Sequence, residues 1–393
     1  MKKIKVIQIC SASHSLSVND YERDMFLSWY ARIAFQFNKF YPNLEMECWT
    51  PEKEYKKQTI KEKEGIKFRI FPTSFSLRHS MEISFSMLKS LKKEIKEAKE
   101  SNKKLIFHIH EYHSWLVYFI LLSLKKGDFK VVAQHHGGRS PFKNLAKFKR
   151  FFLLFPVFAL MQFFENLSLK KINTFYALSN DEVEYLKKKV GEKSSIKFQT
   201  MGIGEEYFEK LDKQKARKKL NLEKEKKYLL NIRGISRNKG IVELLNAIKK
   251  LKDEKIELIL IGDNPELEIH KNYAHKNKIK NVRFLGAIYD ERKLFYLSAS
   301  DCFVLPSYNE GAPVVIMEAI AKNLPVVVTD VGGIPLMVKN GKEGRLIKPK
   351  SSEEIIKGIK EVLMWKERDI RDSAKRYKWE KIIKQTYEDY IKC

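Results

Sequence analysis

Two acidic residues in the second half of the chain have the spacing and surroundings of a ligand-binding pair. Glu318 is the single charged residue of an otherwise apolar stretch, residues 313–321, which Pro313 is predicted to open as a helix. Burying an unpaired carboxylate costs too much free energy, so Glu318 needs either a nearby lysine or arginine, or a hydroxyl-bearing ligand such as a ribose. Glu310 lies in the polar loop before this helix, where loops form the ligand side of an α/β sheet.

A basic loop and a glycine pair are expected at the same edge of that sheet. Arg233, Arg237 and Lys239 lie between an apolar run and a helix-like segment, and the free N–H groups at a helix N-terminus favour anions. Gly332 and Gly333 follow the strand after Glu318, where glycine permits close backbone approach to a phosphate. The basic loop, the glycine pair and the lone carboxylate of the apolar helix together predict a site for a diphosphate.

Five of the nine histidines lie between residues 108 and 136. His108 and His110 alternate along a predicted strand and His113 follows in the next loop, which suggests a zinc site as one hypothesis. The spacing fits no closed structural set and no cysteine is near, so we predict no metal site. His135 and His136 follow another strand, where a histidine either contacts a ligand or caps the loop.

Short apolar runs alternate with amphipathic segments along the whole chain, which predicts buried parallel strands joined by helices. This alternation indicates an α/β fold of two Rossmann-like, doubly wound domains that face a central cleft. The predicted strands are residues 5–10, 105–110, 130–134, 173–179, 196–201, 228–232, 257–261, 282–285, 301–306 and 325–329.

The length and composition agree with two folded domains. The chain has 393 residues, of which 44% are apolar, so disordered and low-complexity classes are excluded. Residues 205–227 are highly charged and contain no apolar strand, and we place the domain junction there. The four cysteines form no close pair, and the N-terminus does not have the pattern of a secretory signal, so we expect a cytoplasmic protein.

The formal net charge of +27 predicts a polyanionic partner, which could be nucleic acid, an anionic membrane or a phosphorylated substrate. Residues 151–164 carry no charge and follow a basic run within residues 143–150. Fourteen residues are too few to span a bilayer, which needs about 20. Residues 143–164 therefore predict either an interfacial membrane anchor or a core helix under a loop.

The second half of the chain resembles the GT-B fold retaining glycosyltransferases of family 4, also called glycosyl transferases group 1. The family's E-x7-E signature is matched by Glu310 and Glu318, its phosphate loop by Lys239 and Gly240, and its G-D-x-P turn by residues 262–265. The resemblance implies an N-terminal acceptor-binding domain, residues 1–204 with a crossover helix at 379–393. It implies a nucleotide-sugar-binding domain at residues 205–378.

The resemblance also implies roles for individual residues. Glu318 would bond the donor ribose, Glu310 would hold hydroxyls of the transferred sugar, and Lys239 would neutralise the departing diphosphate. His136 would lie against the sugar near the reacting carbon. The family's arginine lies five residues before its lysine, where this chain has Gly234, so either Arg233 or Arg237 takes its place. The predicted catalytic residues are His136, Glu310 and Lys239. The predicted donor-binding residues are Arg233, Arg237, Lys239, Gly240, Glu310, Gly311, Ala312, Pro313, Glu318, Gly332 and Gly333.

We therefore expect a glycosyltransferase that moves a sugar from a nucleoside diphosphate to an acceptor hydroxyl with retention of configuration. The acceptor is expected to be a glycan or a lipid-linked carrier, and no metal or other cofactor is required. One alternative is a nucleotide-sugar epimerase of the same fold. The other is a basic nucleic-acid-binding protein, but the cations are interleaved with glutamates as on a solvated helix face and no stacking platform is evident, so we expect no nucleic-acid partner.

Overall fold

The chain forms two compact units in the computed structural model. The first comprises residues 1–201 and 380–393, and the second comprises residues 202–379. The first unit thus ends three residues before the predicted boundary at residue 204. The structure describes residues 3–11, 25–76, 82–124, 129–136, 155–234, 236–251, 255–263, 266–366 and 368–392.

The first unit is built on an eight-stranded sheet, in the order β10-β9-β8-β7-β1-β2-β4-β3, with every neighbouring pair of strands parallel except β3 and β4. A separate antiparallel pair, β5 and β6, lies beside it in the sequence. The strands are β1 Ile4–Cys10, β2 Glu45–Glu52, β3 Thr59–Lys63, β4 Ile66–Pro72, β5 Phe75–Ser76, β6 Glu82–Ile83, β7 Lys104–His110, β8 Phe129–Gln134, β9 Thr174–Ala177 and β10 Ser195–Phe198.

Helices of the first unit bury one face against this sheet. In α2, Met87, Leu91 and Ala98 are buried at helical spacing, and Ser84 caps the first turn by accepting from the N–H of Met87. The helices are α1 Trp29–Phe40, α2 Phe85–Glu100, α3 Trp115–Ser123, α4 Phe155–Leu169 and α5 Asn180–Val190, followed by a 3₁₀ turn at Gly191–Lys193.

The second unit is built on an all-parallel sheet of six described strands in the order β13-β12-β11-β14-β15-β16. The strand order reverses between β11 and β14, and ligands of such sheets bind beyond the carboxyl ends of the strands at this point. The strands are β11 Lys227–Ile232, β12 Ile256–Ile261, β13 Val282–Phe284, β14 Cys302–Leu305, β15 Val326–Thr329 and β16 Gly344–Ile347.

Seven α-helices and three 3₁₀ segments accompany the described part of this second sheet. They are the 3₁₀ segment Glu205–Tyr207, α6 Lys213–Lys219, the 3₁₀ segment Arg237–Lys239, α7 Ile241–Leu251, α8 Leu267–Lys276, α9 Arg292–Ala299, α10 Val314–Ala321, α11 Ile334–Met337, α12 Ser352–Leu363 and the 3₁₀ segment Arg371–Tyr377. The last helix of the chain is α13 Trp379–Ile391.

All ten predicted strands are present, and the α/β class with parallel sheets is confirmed. The prediction missed β2, β3, β4, β5 and β6 in the first unit and β16 in the second. Strand β2 buries Glu47, and its charge is balanced by Lys5 at 3.1 Å and Arg69 at 2.7 Å. These partners come from other strands. The sequence of β2 alone contains many polar residues and shows no apolar pattern, so it does not predict a buried strand.

Candidate active site

Three loops of the second unit meet at the carboxyl edge of its sheet. The loop after β11 is tied to the loop after β14, because the N–H of Tyr308 donates to the carbonyl of Asn238 at 3.0 Å. The loop after β15 is tied to the same segment, because the N–H of Gly333 donates to the carbonyl of Gly311 at 2.8 Å. The structure therefore brings the basic loop, the acidic loop and the glycine pair together.

Two glycines make this close approach of the loops possible. Gly332 has φ +59°, and a Cβ atom there would lie 1.7 Å from the carbonyl oxygen of Glu310. Gly240 has φ +67°, and a Cβ atom there would lie 2.1 Å from the carbonyl oxygen of Pro306. Both distances are impossible for non-bonded atoms, so each position needs glycine for space as well as for its left-handed backbone.

The carboxylate of Glu310 lies at the centre of these loops. Its side chain is 2% exposed and pairs with two cations: Nη2 of Arg233 donates to Oε2 at 2.6 Å, and Nζ of Lys239 donates to Oε1 at 2.9 Å. The hydroxyl of Ser307 also donates to Oε1, at 2.8 Å. The buried charge of Glu310 is thus compensated, and the two cations are held at fixed positions beside it. We call Arg233 and Lys239 the cation pair.

The structure distinguishes Arg233 from Arg237. Arg233 belongs to the cation pair and remains about one third exposed, at 34%. Arg237 lies in the 3₁₀ segment before α7, its side chain is exposed, and it lines a different cavity with Tyr308 and Lys350. Within the described residues, the remaining N–H groups of Arg233 make no hydrogen bond, so they are available to an anion.

Glu318 lies on α10, where it is buried as predicted, and it has a cationic neighbour. Nζ of Lys293, on α9, lies 2.6 Å from Oε2 of Glu318. The nearby lysine expected as one alternative is therefore present. Among the described residues no hydrogen bond or ion pair reaches the other oxygen, Oε1, which leaves this oxygen as an acceptor for a hydroxyl-bearing ligand.

The residues that join the two glutamates form the end of the loop and the start of α10. Gly311 accepts from Gly333, and Ala312 follows it in the loop. Pro313 is the cap residue and the helix begins at Val314, so the proline lies one position earlier than predicted. The carbonyl of Pro313 accepts from the N–H of Ile316 at 3.1 Å, which closes the first turn.

In the first unit, three of the histidines form hydrogen bonds at the carboxyl ends of β7 and β8. Nε2 of His136 lies 2.7 Å from Nδ1 of His110, and Nδ1 of His108 lies 2.6 Å from the hydroxyl of Tyr390 on α13. The ring of His136 also stacks on Trp29, with 4.8 Å between the ring centroids. Trp29 was not among the predicted site residues, because an exposed tryptophan at the start of a helix has no sequence signal of its own.

Burial keeps these three imidazoles neutral. It lowers the pKa of His108 to about 3, and the pKa of His110 and of His136 lies well below the usual value of 6.5. Burial disfavours the charged form, and repulsion between neighbouring imidazolium groups lowers the pKa of His110 and His136 further. These histidines can therefore donate and accept hydrogen bonds, but they do not carry charge at neutral pH.

The other two histidines of this region pair with carboxylates. Nδ1 of His113 lies 2.5 Å from Oε1 of Glu165, and Nδ1 of His135 lies 3.1 Å from Oε2 of Glu182. Within the described residues no group of three or more histidine, cysteine, aspartate or glutamate side chains is arranged to hold a metal ion.

The apolar helix of the first unit is only partly the one predicted. Residues 143–154 lie outside the described residues, and α4 begins at residue 155. Met161, Glu165 and Ser168 face the interior, whereas Leu160, Phe163 and Leu167 are 45%, 57% and 44% exposed. None of the described helices combines the length and the apolar character that a bilayer-spanning segment needs.

Comparison with known proteins finds a family model that matches part of the second unit. Residues 212–380 match the family model described as glycosyl transferases group 1. The chain is 36% identical over 148 residues to the putative teichuronic acid biosynthesis glycosyltransferase TuaC of Bacillus subtilis, covering 37% of this chain and 36% of that protein.

A second relative comes from Campylobacter jejuni. The chain is 33% identical over 153 residues to its N,N'-diacetylbacillosaminyl-diphospho-undecaprenol alpha-1,3-N-acetylgalactosaminyltransferase, covering 39% of each protein. The matched region thus spans less than two fifths of the length of either relative.

A solved structure, Anabaena Alr3699/HepE in complex with UDP, resembles the whole chain. Its TM-score is 0.68 at 15% identity, and the match covers 99% of this chain and 100% of that one. This likeness shows the fold, which is the GT-B fold of two Rossmann-like domains. Residues 212–380, which form most of the second unit and less than half of the chain, are thus similar to the glycosyl transferases group 1 family.

Proposed function

We propose that the protein is a glycosyltransferase that moves a sugar from a nucleoside diphosphate to an acceptor hydroxyl with retention of configuration. The observation that carries the proposal is the cation pair, which Glu310 holds at the carboxyl edge of the second sheet. A diphosphate leaving group gains negative charge as its bond to the sugar breaks. Cations that are already in position stabilise that charge without reorganisation.

The remaining contacts of this edge support the same proposal. The unused N–H groups of Arg233 and the second and third protons of Lys239 are donors for phosphate oxygens. The loop glycines bring backbone close to the same region, where a bulkier residue would be excluded. Because both oxygens of Glu310 already accept from cations, we infer that its main contribution is to orient them, and that any bond to a sugar hydroxyl is additional.

We assign the donor ribose to Glu318. Its Oε1 is the oxygen that Lys293 leaves free, and a carboxylate is a strong acceptor for vicinal hydroxyls. Lys293 would then hold the carboxylate in one rotamer, and the ribose would use the other oxygen. The solved structure of Anabaena Alr3699/HepE, which has the same fold, contains UDP, and this supports a nucleotide donor for this chain.

Retention without a protein nucleophile follows if the leaving phosphate takes the proton of the acceptor hydroxyl. The acceptor oxygen bonds to the anomeric carbon as the bond from that carbon to the phosphate oxygen breaks. The hydroxyl proton passes to that phosphate oxygen, so every charge is accounted for. In the first unit, His136 would contact the sugar as a neutral group, which does not oppose the positive charge of an oxocarbenium-like transition state.

The exposed face of α4 favours an acceptor at a membrane surface. Leu160, Phe163 and Leu167 lie at positions i, i+3 and i+7, so they form one apolar stripe on the outside of the unit. We call these residues the α4 stripe. Rings and leucines on an exposed helix insert into the headgroup boundary. The basic residues within 143–150, which precede the helix in the sequence, would attract anionic lipid. We therefore propose a glycan or lipid-linked acceptor, as the name of the Campylobacter jejuni relative describes for that protein.

The first experiment identifies the donor. The full chain is screened by thermal shift against UDP, GDP and ADP, since a ligand that binds the folded state raises the melting temperature. The corresponding sugar nucleotides are then incubated with and without polyprenyl-phosphate-linked acceptors, and the products are analysed by mass spectrometry. Transfer with release of the nucleoside diphosphate supports the proposal. An altered sugar nucleotide in the absence of acceptor would indicate an epimerase, and no nucleotide binding at all would contradict the proposal.

A further inference from the structure

The imidazole of His136 is held by ring stacking and by one hydrogen bond, and the backbone of the same residue is also hydrogen-bonded. Its backbone N–H donates to Oε1 of Glu111 at 2.8 Å, and its ring lies almost parallel to that of Trp29, at 9°. Its Nε2 lies 2.7 Å from Nδ1 of His110. Among the described residues no hydrogen bond reaches its Nδ1. The stacking and the hydrogen bond favour one orientation of the ring, so the position of its proton decides what it can bind.

The residue behind His110 determines where that proton lies. Nε2 of His110 is 2.6 Å from Oε1 of Gln8, on the neighbouring strand β1. The amide nitrogen of Gln8 faces the sulfur of Met46 at 3.7 Å and the hydroxyl of Tyr390 at 3.4 Å. A sulfur atom can accept but not donate, which favours the amide nitrogen on that side and the amide oxygen on the His110 side.

The protons of the chain then follow one direction. Because Gln8 presents an oxygen, His110 must donate from Nε2, and a neutral His110 then has only a lone pair on Nδ1. His136 must in turn donate from its own Nε2. Burial lowers the pKa of both histidines well below 6.5, so neither ring carries protons on both nitrogens at neutral pH.

We propose that His110 is a positioning residue for the transfer reaction: it holds the proton of His136 on Nε2 and thereby leaves Nδ1 of His136 as an acceptor for a hydroxyl of the bound sugar or acceptor. This assignment rests on the proposed function, in which His136 contacts that hydroxyl. A nitrogen with a lone pair accepts the proton of a hydroxyl and so fixes the direction of the O–H bond. An N–H at the same place would instead donate to the hydroxyl oxygen and leave the O–H proton free to point elsewhere. His110 itself does not contact the substrate in this scheme.

The proton position can be measured directly in the full chain. Histidine ¹⁵N shifts distinguish a protonated from an unprotonated ring nitrogen, and the signal of His136 is assigned as the one missing from His136→Gln. We expect protonated Nε2 and unprotonated Nδ1 in the unliganded protein at pH 7.5. The opposite tautomer in the parent protein would overturn the proposal, whatever its transfer activity.

Two substitutions of His110 separate positioning from packing. His110→Asn keeps an acceptor oxygen near the place of Nδ1, and His110→Phe keeps an aromatic ring without an acceptor. We expect His110→Asn to retain the parent tautomer of His136 and a kcat within about threefold of the parent value. We expect His110→Phe to lose the tautomer preference and to have a kcat lower by roughly ten- to a hundredfold, as for removal of other orienting residues. Affinity for the free nucleoside diphosphate, which lacks the sugar, should change little, since the cation pair belongs to the second unit.

The outcomes distinguish this proposal from the proposed function. Equal tautomers and equal kcat in His110→Phe and the parent protein would overturn the role of His110 while transfer itself remained. Absence of transfer in the parent protein would remove the proposed function, and with it the catalytic purpose of the tautomer. If His110→Phe does not fold, Gln8→Leu removes the amide that orients His110, and loss of the His136 tautomer preference is expected there too.

Discussion

Arg233 donates from Nη2 to Oε2 of Glu310 at 2.6 Å, across 77 positions of sequence. Lys239 donates to the other carboxylate oxygen, so one carboxylate holds both cations. The charge of the glutamate compensates part of theirs, which lowers the cost of keeping two cations together before a diphosphate arrives. Glu310 therefore links the loop after β14 to the loop after β11 in charge as well as in position.

Replacing Glu310 by glutamine should leave the cation pair without its counter-charge. We expect Glu310→Gln to lower kcat by roughly a hundredfold or more, the size of effect that follows when one preorganised electrostatic contact is lost. The free energy of unfolding should fall by about 1–3 kcal/mol, because charge-assisted hydrogen bonds in a buried position are weakened. Steady-state transfer kinetics and urea denaturation measure the two effects.

Arg237 supplies the matched control for this cluster. It has the same side chain as Arg233 and lies in the same loop, but its side chain is exposed and outside the cation pair. Arg233→Gln should reduce kcat about as much as Glu310→Gln, and Arg237→Gln should remain within about threefold of the parent protein. Equal losses for both arginines would contradict the assignment of Arg233.

Gly332 tests how tightly the loops are joined. Gly332→Ala would place a methyl group 1.7 Å from the carbonyl oxygen of Glu310, so the loop that carries the glutamate must move. Gly341 is the control, since its φ of +80° is also left-handed but nothing lies within 4 Å of its Cβ position. We expect Gly332→Ala to cost roughly 1–3 kcal/mol more than Gly341→Ala in urea denaturation, and to lower kcat, which Gly341→Ala should not. Equal effects of the two would show that the clash is relieved without cost.

Glu318 and Lys293 can be separated by their effects on nucleotide binding. If Oε1 of Glu318 bonds the ribose, Glu318→Ala should weaken binding of the nucleoside diphosphate by roughly ten- to a hundredfold, the worth of hydrogen bonds to a charged acceptor. Lys293→Met removes the ion pair but keeps the acceptor, so the affinity should fall by less than about fivefold. Isothermal titration with the nucleotide chosen by thermal shift measures both. An unchanged nucleotide affinity in Glu318→Ala would mean that Glu318 only pairs with Lys293 and does not bond the ribose.

The sequence predicted the strands that are apolar in themselves. Runs such as residues 257–261 are buried on both faces, and hydrophobicity alone identifies them. Strand β2 could not be found in this way, because Glu47 is acceptable in a buried strand only when Lys5 and Arg69 are beside it. That information is tertiary, and no window of the sequence contains it.

The same limit applies to the candidate site. The types of Glu310, Glu318 and Lys239 were sufficient to select them, because a lone acid in an apolar helix and a basic loop after a strand are visible locally. The choice between Arg233 and Arg237 depended on the direction of one side chain, which spacing does not encode. Gln8 contacts His110 from the neighbouring strand β1, and Trp29 contacts His136 from helix α1. Nothing in the sequence next to either residue indicated these contacts.

The buried histidines should make the stability of the protein depend on pH. The pKa of His108 is about 3 in the folded state and about 6.5 when unfolded, so between these values the unfolded chain binds the extra proton. The contribution of neutral His108 to the free energy of unfolding is fully present above pH 6.5 and is lost as the pH falls toward 3. One such histidine gives a slope of up to about 1.4 kcal/mol per pH unit. His110, His136 and His270, whose pKa values are also lowered, act in the same direction.

His108→Gln isolates one part of this dependence, because it retains a hydrogen-bonding group beside Tyr390 without a titrating ring. We expect the urea midpoint of the parent protein to fall between pH 7 and pH 5, and that of His108→Gln to fall less over the same interval at constant ionic strength. Parallel decreases would mean that His108 is not the neutral group its burial implies.

The α4 stripe should determine binding to lipid. The double variant Phe163→Ser, Leu167→Ser removes apolar surface that would enter the headgroup boundary, and each such side chain contributes about 1.5–3 kcal/mol when fully buried. Co-sedimentation with phosphatidylglycerol vesicles should therefore weaken at least about tenfold, and added salt should weaken binding of the parent protein. Phe85→Ser is the control, since Phe85 is 65% exposed on a different helix of the same unit. Loss of vesicle binding in Phe85→Ser to the same extent would mean that general surface hydrophobicity, and not the α4 stripe, is responsible.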